Sequence, residues 1–151
     1  MNNPQPIRVA IDTNILASAM MGTGPASRAL AACLARLAIP IVGSTLLAEY
    51  ESVLCRPELE PRYLLTPSER EALLDDFLAV CHWQPVYFTW RPNLPDEADN
   101  PVLELAIAGD ADAIVTANIK DFQRGELRFP RPRILKPYDW LQELYRDHPD
   151  T

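Results

Sequence analysis

The chain has 151 residues, 48% of them hydrophobic, and carries a formal net charge of −7 at pH 7 with a sequence pI near 4.8. That length suits a single domain, with an ordered core expected over about residues 6–145, and a chain of this size buries roughly two thirds of its unfolded surface. No apolar run reaches the ~20 residues that cross a bilayer, and Met1–Arg8 has no basic segment leading into a long apolar one, so no secretory signal is expected.

The three cysteines, Cys33, Cys55 and Cys81, are odd in number, lie in separate segments and form no C-x-x-C pair. They support neither a disulfide framework nor a zinc knuckle nor a redox dithiol, and read as idle thiols in a reducing, cytoplasmic compartment. The acidic balance repels a phosphate backbone at long range. It argues against indiscriminate nucleic-acid binding but is compatible with a nuclease that reaches its substrate through divalent cations. Arg124, Arg128, Arg131, Arg133 and Lys136 crowd one C-terminal stretch, opposed only by Glu126. The stretch reads equally as a solvated loop or as a contact surface for RNA or a partner.

In chain order, Ile7–Ile11 is a short apolar run rich in β-branched residues, a buried strand ended by the polar triplet Asp12-Thr13-Asn14. Ser27–Leu37 has helical composition. Ile39–Val42 is a second strand, which Pro40 makes short or places at an edge. Gly43-Ser44 opens a helix to about Leu54, with Leu46, Leu47, Tyr50, Val53 and Leu54 at helical spacing. Pro57–Pro67 is a polar connection, and Ser68–Val80 an amphipathic helix. Val86–Trp90 is a third strand candidate and Arg91–Glu97 a loop. Asp99–Ala108 is a helix with Pro101 in its first turn, where proline is tolerated. Ala113–Thr116 is a fourth strand, Arg133–Leu135 a fifth, and Asp139–Tyr145 a last helix. Strands alternating with helices predict an α/β fold, a three-layer α/β/α sandwich on a mostly parallel sheet.

Ligands of open parallel sheets sit beyond the carboxyl ends of the strands. Asp12 follows the first strand directly, and Asn118 and Asp121 follow Thr116 at the end of the fourth, so both segments deliver oxygen ligands to one rim if these strands are neighbours. At about 100° per residue, Asp99 shares a helix face with Val102, Leu103 and Ala106, which turns it toward the rim; a plain N-cap is the equal alternative. Glu49 and Glu51 flank opposite edges of the apolar stripe of their helix, and phase does not choose between them. A like-charge pair ~4 Å apart costs about 4 kcal/mol at an effective dielectric near 20, so a carboxylate cluster requires a cation or a bound proton. Oxygen-only ligands select Mg²⁺ or Mn²⁺ over zinc, and phosphoryl chemistry follows. Other chemistries are poorly supplied. His148 lies in a polar tail, His82 beside Trp83 reads as packing or surface, and no G-x-S-x-G, H-E-x-x-H, P-loop or G-x-G-x-x-G occurs.

The segments VAIDTNILASAMMG, STLLAEYESVLCRPEL, LTPSEREALLDDF, DEADNPVLELAIAGDADAIVTANIKDF and PRILKPYDWL, in this order and covering nearly the whole chain, resemble the PIN domain ribonucleases. The similarity is specifically to the small single-domain toxin components of toxin–antitoxin systems related to the VapC toxins. The resemblance implies that Asp12, Glu49 (and not Glu51) and Asp99 hold the metal, with Asn118 completing the catalytic set and Thr13, Asn14, Thr116 and Asp121 supporting it. Asn118 stands where many members carry an aspartate, which removes one charge, and Asp96 is an acidic neighbour able to substitute. It further implies Mg²⁺- or Mn²⁺-dependent endonucleolytic cleavage of RNA by water, leaving 5′-phosphate and 3′-hydroxyl ends. A homodimer and a protein antitoxin that inserts a basic side chain among the acids are also implied.

Three other readings compete. A PIN fold that binds RNA without cutting it is motivated by Asn118. A receiver-like phosphoacceptor would need an acidic pair after the first strand, where Thr13 follows Asp12, and an aspartate ending a middle strand, where Asp75 and Asp76 lie in a helical pattern. A phosphatase would need a D-x-D pair, whose second position holds Asn14.

Overall fold

The computed structural model describes residues 6–86, 100–123 and 131–147. They form β1 (Arg8–Ile11), α1 (Thr13–Ala19), α2 (Pro25–Leu34), β2 (Ile39–Val42), α3 (Ser44–Leu54), a 3₁₀ helix (Pro57–Arg62), α4 (Pro67–Val80), β3 (His82–Trp83), α5 (Asn100–Ala108), β4 (Ala113–Val115), α6 (Ile119–Gln123), β5 (Arg133–Leu135) and α7 (Pro137–Asp147). The strands make one sheet in the order β3-β2-β1-β4-β5, and every pairing is parallel. The α/β sandwich expected from the alternation of elements is therefore the one observed. Among the described residues no helix is long and apolar enough to cross a membrane.

The two central strands show why the sheet needs helices on both faces. In β1 and β4, Val9, Ala10, Ile11, Ala113, Ile114 and Val115 are all at most 4% exposed, with no alternation between faces. The connections from β1 to β2 and from β2 to β3 run one way across the sheet, and those into β4 and β5 run the other way. With right-handed crossovers, this order puts α1–α4 on one face and α5–α6 on the other. Helix α5 packs on β1, β2 and β4, while α7 returns to pack on α2. Winding reverses between β1 and β4, so a crevice opens at their carboxyl ends.

Four local expectations are modified. The triplet after β1 does not merely end a strand: Asp12 is the N-cap of α1, a helix whose Ile15, Leu16, Ala17 and Ala19 are buried. Helix α2 stops at Leu34 and not at Leu37, because Arg36 adopts a left-handed φ of 64° and Leu37 N–H donates back to the Ala32 carbonyl, closing the helix end. Pro40 shortens β2 without placing it at an edge. Ile39 N–H points to β1, donating to Ile7, and the next residue faces β3, whose pairing starts only at Ile41, so proline's missing donor has no partner to disappoint. The third strand is His82–Trp83; of the Val86–Trp90 segment only Val86 is described, outside any strand, and residues 87–90 lie outside the described residues.

Gly109, one residue past α5, is set by packing, since a Cβ there would lie 2.8 Å from Ile41 Cδ1. The left-handed φ of 51° falls on Asp110 instead.

The 3₁₀ helix is held by a buried cation. Arg70 of α4 is 3% exposed. Its Nε donates to the Leu54 carbonyl and its Nη1 to the Leu65 carbonyl, while the guanidinium pairs with Glu60 and lies 4.4 Å from the Tyr63 ring centroid. Removing it orphans these acceptors, so Arg70→Met is expected to lower stability by roughly 3 kcal/mol, read as a chemical-denaturation midpoint shift at constant m-value. A second expectation concerns the thiols. Cys33 is buried, and burial raises its pKa above the usual thiol range; burial likewise pushes Cys81 up to about 12, whereas Cys55 is exposed. Disulfide-exchange titration of the native protein should therefore modify Cys55 first, and Cys33 and Cys81 only as the protein unfolds.

Candidate active site

The site begins with the joint between β1 and α1. Asp12 N–H continues the β-ladder by donating to Val115 O at 3.0 Å, while its side chain caps the helix by accepting from Thr13 N at 2.8 Å. One residue thus ends the central strand and starts a helix, which fixes its carboxylate at the crevice. Asp12 as a whole is 4% exposed. Asn14 Nδ2 donates to its Oδ2 at 3.1 Å and Thr116 Oγ1 at 2.7 Å. Such bonds favour the charged form that burial opposes.

Thr116 arrives from β4. Its backbone N–H donates to Leu135 O, and its hydroxyl both donates to Asp12 and accepts from Asn118 N–H at 3.0 Å. Asn14 Oδ1 accepts from Ala117 N–H at 3.3 Å, tying the first turn of α1 to the loop after β4.

Glu49 is delivered by α3. Its neighbour Tyr50 is fully buried and donates its hydroxyl to the Ile11 carbonyl at the end of β1. Burial raises the phenol pKa, so the donor is retained. With Tyr50 locked inward, Glu49 turns toward α1, where Thr13 Oγ1 donates to its Oε2 at 3.1 Å. Glu51 is exposed. Thr13 therefore binds both acids, Asp12 through its amide and Glu49 through its hydroxyl. Asp12, Thr13, Asn14 and Glu49 line one cleft of about 410 Å³, completed by Ala17, Ser18, Met21, Val53, Arg56, Leu59 and Arg62.

Of the remaining sequence candidates, only part are among the described residues. Asn118 is exposed and joins the site through its backbone N–H. Asp121 lies in α6, but its side chain is not among those described. Asp96, Asp99, Arg124 and Arg128 lie outside the described residues. The face of α5 proposed to carry Asp99 inward is indeed the buried one, with Val102, Leu103 and Ala106 at most 5% exposed. Arg131 and Arg133 lie at the opposite edge of the sheet, where β4 and β5 begin. Arg131 pairs with Asp112 and Asp110, and Arg133 with Glu143 at 2.6 Å. Among the described residues, no group of three or more His, Cys, Asp or Glu side chains stands together as a metal cage.

The residues that sequence reading missed at the cleft are Arg56 and Arg62. They bracket Pro57–Pro61 in a segment read only as a polar connection, and no local periodicity marks which way such a connection folds.

The chain is thus an α/β protein with a doubly wound parallel sheet and a buried carboxylate, Asp12, at its winding reversal. A family model for the PIN domain matches residues 8–120, and the chain belongs to the PIN domain family. Its fold is thus of nuclease type, and the receiver-like, phosphatase and purely RNA-binding alternatives are not favoured. The comparison with curated proteins gave no match, and neither did that with solved structures.

Thr116→Val removes one donor from Asp12 and the acceptor of Asn118 N–H while keeping the side-chain shape. It is expected to lower stability by roughly 1.5–3 kcal/mol, measured by thermal or denaturant unfolding, whereas Glu51→Gln should leave stability within about 0.5 kcal/mol of the parent.

Proposed function

We propose that this protein is a divalent-metal-dependent endoribonuclease and acts as the toxin of a toxin–antitoxin pair. The single observation that carries the enzymatic reading is Thr13 donating to both Asp12 and Glu49. It ties two carboxylates to one residue at the mouth of one cleft, an arrangement that stability alone does not favour. The donor set fits a hard cation. The groups are oxygen atoms only, carboxylates first, and these suit Mg²⁺ or Mn²⁺.

In this reading Asp12 and Glu49 hold the ion, with Asp99 the third ligand expected from the family pattern. Such an ion supplies charge neutralisation at the scissile phosphate and a water acidic enough to attack it. The chain's own residues do the positioning. Thr116 and Asn14 each donate to the Asp12 carboxylate and fix its orientation beside the cleft. Thr13 sets the reach of Glu49, and Tyr50 sets the rotation of the helix that carries it. Asn118 supports the loop after β4 through its backbone. The family resemblance further implies cleavage by water that leaves 5′-phosphate and 3′-hydroxyl ends. The toxin role, a homodimer and an antitoxin that covers the cleft rest on the resemblance of the five sequence segments to small toxin-type PIN proteins.

Incubation with single-stranded and structured RNA should give endonucleolytic fragments in Mg²⁺ or Mn²⁺ and none with chelator. Asp12→Asn and Glu49→Gln should each bring cleavage to background with folding retained. Thr116→Val should weaken Mn²⁺ binding about 10–100-fold by calorimetry. Cleavage that survives chelation, or is untouched by Asp12→Asn, would refute the assignment, and binding of RNA without cleavage in any metal would favour a non-enzymatic PIN protein.

A further inference from the structure

Two cations stand at the lip of the acidic cleft and belong to neither the acid set nor the frame that holds it. Arg56 and Arg62 line the same cleft as Asp12 and Glu49. Both are exposed, and among the described residues neither forms an ion pair. By contrast, Arg70 pairs with Glu60, Arg131 with Asp112 and Asp110, and Arg133 with Glu143.

Their position is not left to a loose loop. Arg56 is the N-cap of the 3₁₀ helix and Arg62 its last residue. The segment between them is clamped by Arg70 on Glu60, by Tyr63 Oη donating to Val53 O at 2.9 Å, and by Leu64 N–H donating to Met20 O at 3.0 Å. At about 2.0 Å rise per residue, the two Cα atoms stand roughly 12 Å apart, a separation that lets the two side chains meet different phosphates.

We infer that Arg56 and Arg62 are a backbone clamp for the RNA substrate, each taking a different phosphate flanking the one cleaved, an inference that rests on the endoribonuclease reading above. Guanidinium is the side chain best matched to phosphate, being always charged, planar and forked. The chain's net charge of −7 repels RNA at a distance, so attraction has to come from cations concentrated beside the cleft. An arginine sharing a cleft with carboxylates yet bonded to none of the described ones is placed for an anion brought from outside. Of the described basic residues of the C-terminal stretch, Arg131 and Arg133 sit on the opposite sheet edge and are already paired with acids, so they do not serve this purpose.

The test uses the full-length protein and a single-stranded RNA oligonucleotide, with binding measured in Ca²⁺ across a salt series and cleavage measured separately in Mg²⁺. Single-strand binding loses about 0.7 in the slope of log K against log salt for each phosphate contact removed. Arg56→Gln and Arg62→Gln should each flatten the slope by about that amount, the double variant by about twice it, and KM for cleavage should rise more than kcat falls. Arg133→Gln should leave the slope unchanged. Circular dichroism and unfolding midpoints like those of the parent establish that the variants are folded. If the parent cleaves RNA and the double variant keeps the parental slope and KM, the clamp is wrong and the nuclease reading survives. Equal flattening by Arg133→Gln would also overturn it, by placing the contact on the other edge. A parent that neither binds nor cleaves RNA overturns both.

Discussion

A buried carboxylate at the end of the central strand is the constraint around which this molecule is arranged. Asp12 must lose most of its water to occupy the joint of β1 and α1, and an ion so placed is tolerated only when donors surround it. The donors come from three directions: the first amide of α1, the side chain of Asn14, and the hydroxyl of Thr116 at the end of the neighbouring strand. Each requires a different part of the fold to be correct. The helix must start at Thr13, the sheet must pair β1 with β4 in register, and the loop after β4 must bend back far enough for its amides to reach Asn14 and Thr116.

The same joint recruits α3. Tyr50 is buried against the last carbonyl of β1, so the helix cannot rotate, and Glu49 inherits its direction from its neighbour's anchoring. The acid pair is thus a by-product of two core interactions and is not an isolated surface feature. Outside it, Arg56 and Arg62 at the two ends of the 3₁₀ helix bring positive charge to the cleft, and the helix is itself held by Arg70. The cleft consequently brings the acids Asp12 and Glu49 and the exposed basic side chains Arg56 and Arg62 to one place.

Much of this was legible in the sequence, and the reasons are physical. Strand runs such as IRVAI and AIVT are buried on both faces, so hydrophobicity alone marks them, and the rule for ligands of parallel sheets then points at Asp12 and at the loop after Thr116. Helix phase left Glu49 and Glu51 undecided because both flank the apolar stripe; the hydrogen bond of Tyr50 to another element breaks the tie, and no one-dimensional pattern contains it. Helix α1 went unread because it is short and almost entirely buried, without a polar face to give it a period, although an aspartate in the N-cap position was its one visible signal. His82–Trp83 is too brief to stand out as a strand, and it pairs only because β2 offers Ile41 and Val42 beyond Pro40. Arg56 and Arg62 escaped notice since their placement depends on a buried arginine ten or so residues further along. The basic C-terminal stretch drew attention by density of charge, yet its Arg131 and Arg133 turn out to be consumed by nearby acids.

The position of β1 has a further consequence for synthesis. The first strand made is the middle of the finished sheet, and its second neighbour is not translated until residue 113. Asp12 and Thr116 are separated by 104 positions, about 5–20 s of elongation at ordinary ribosomal rates. During that interval β1 can pair with β2 alone, its other edge is open, and the carboxylate lacks the hydroxyl that orients it. A nascent chain of this design therefore completes the hydrogen-bonded surroundings of Asp12 only after β4 and the residue that follows it have been made.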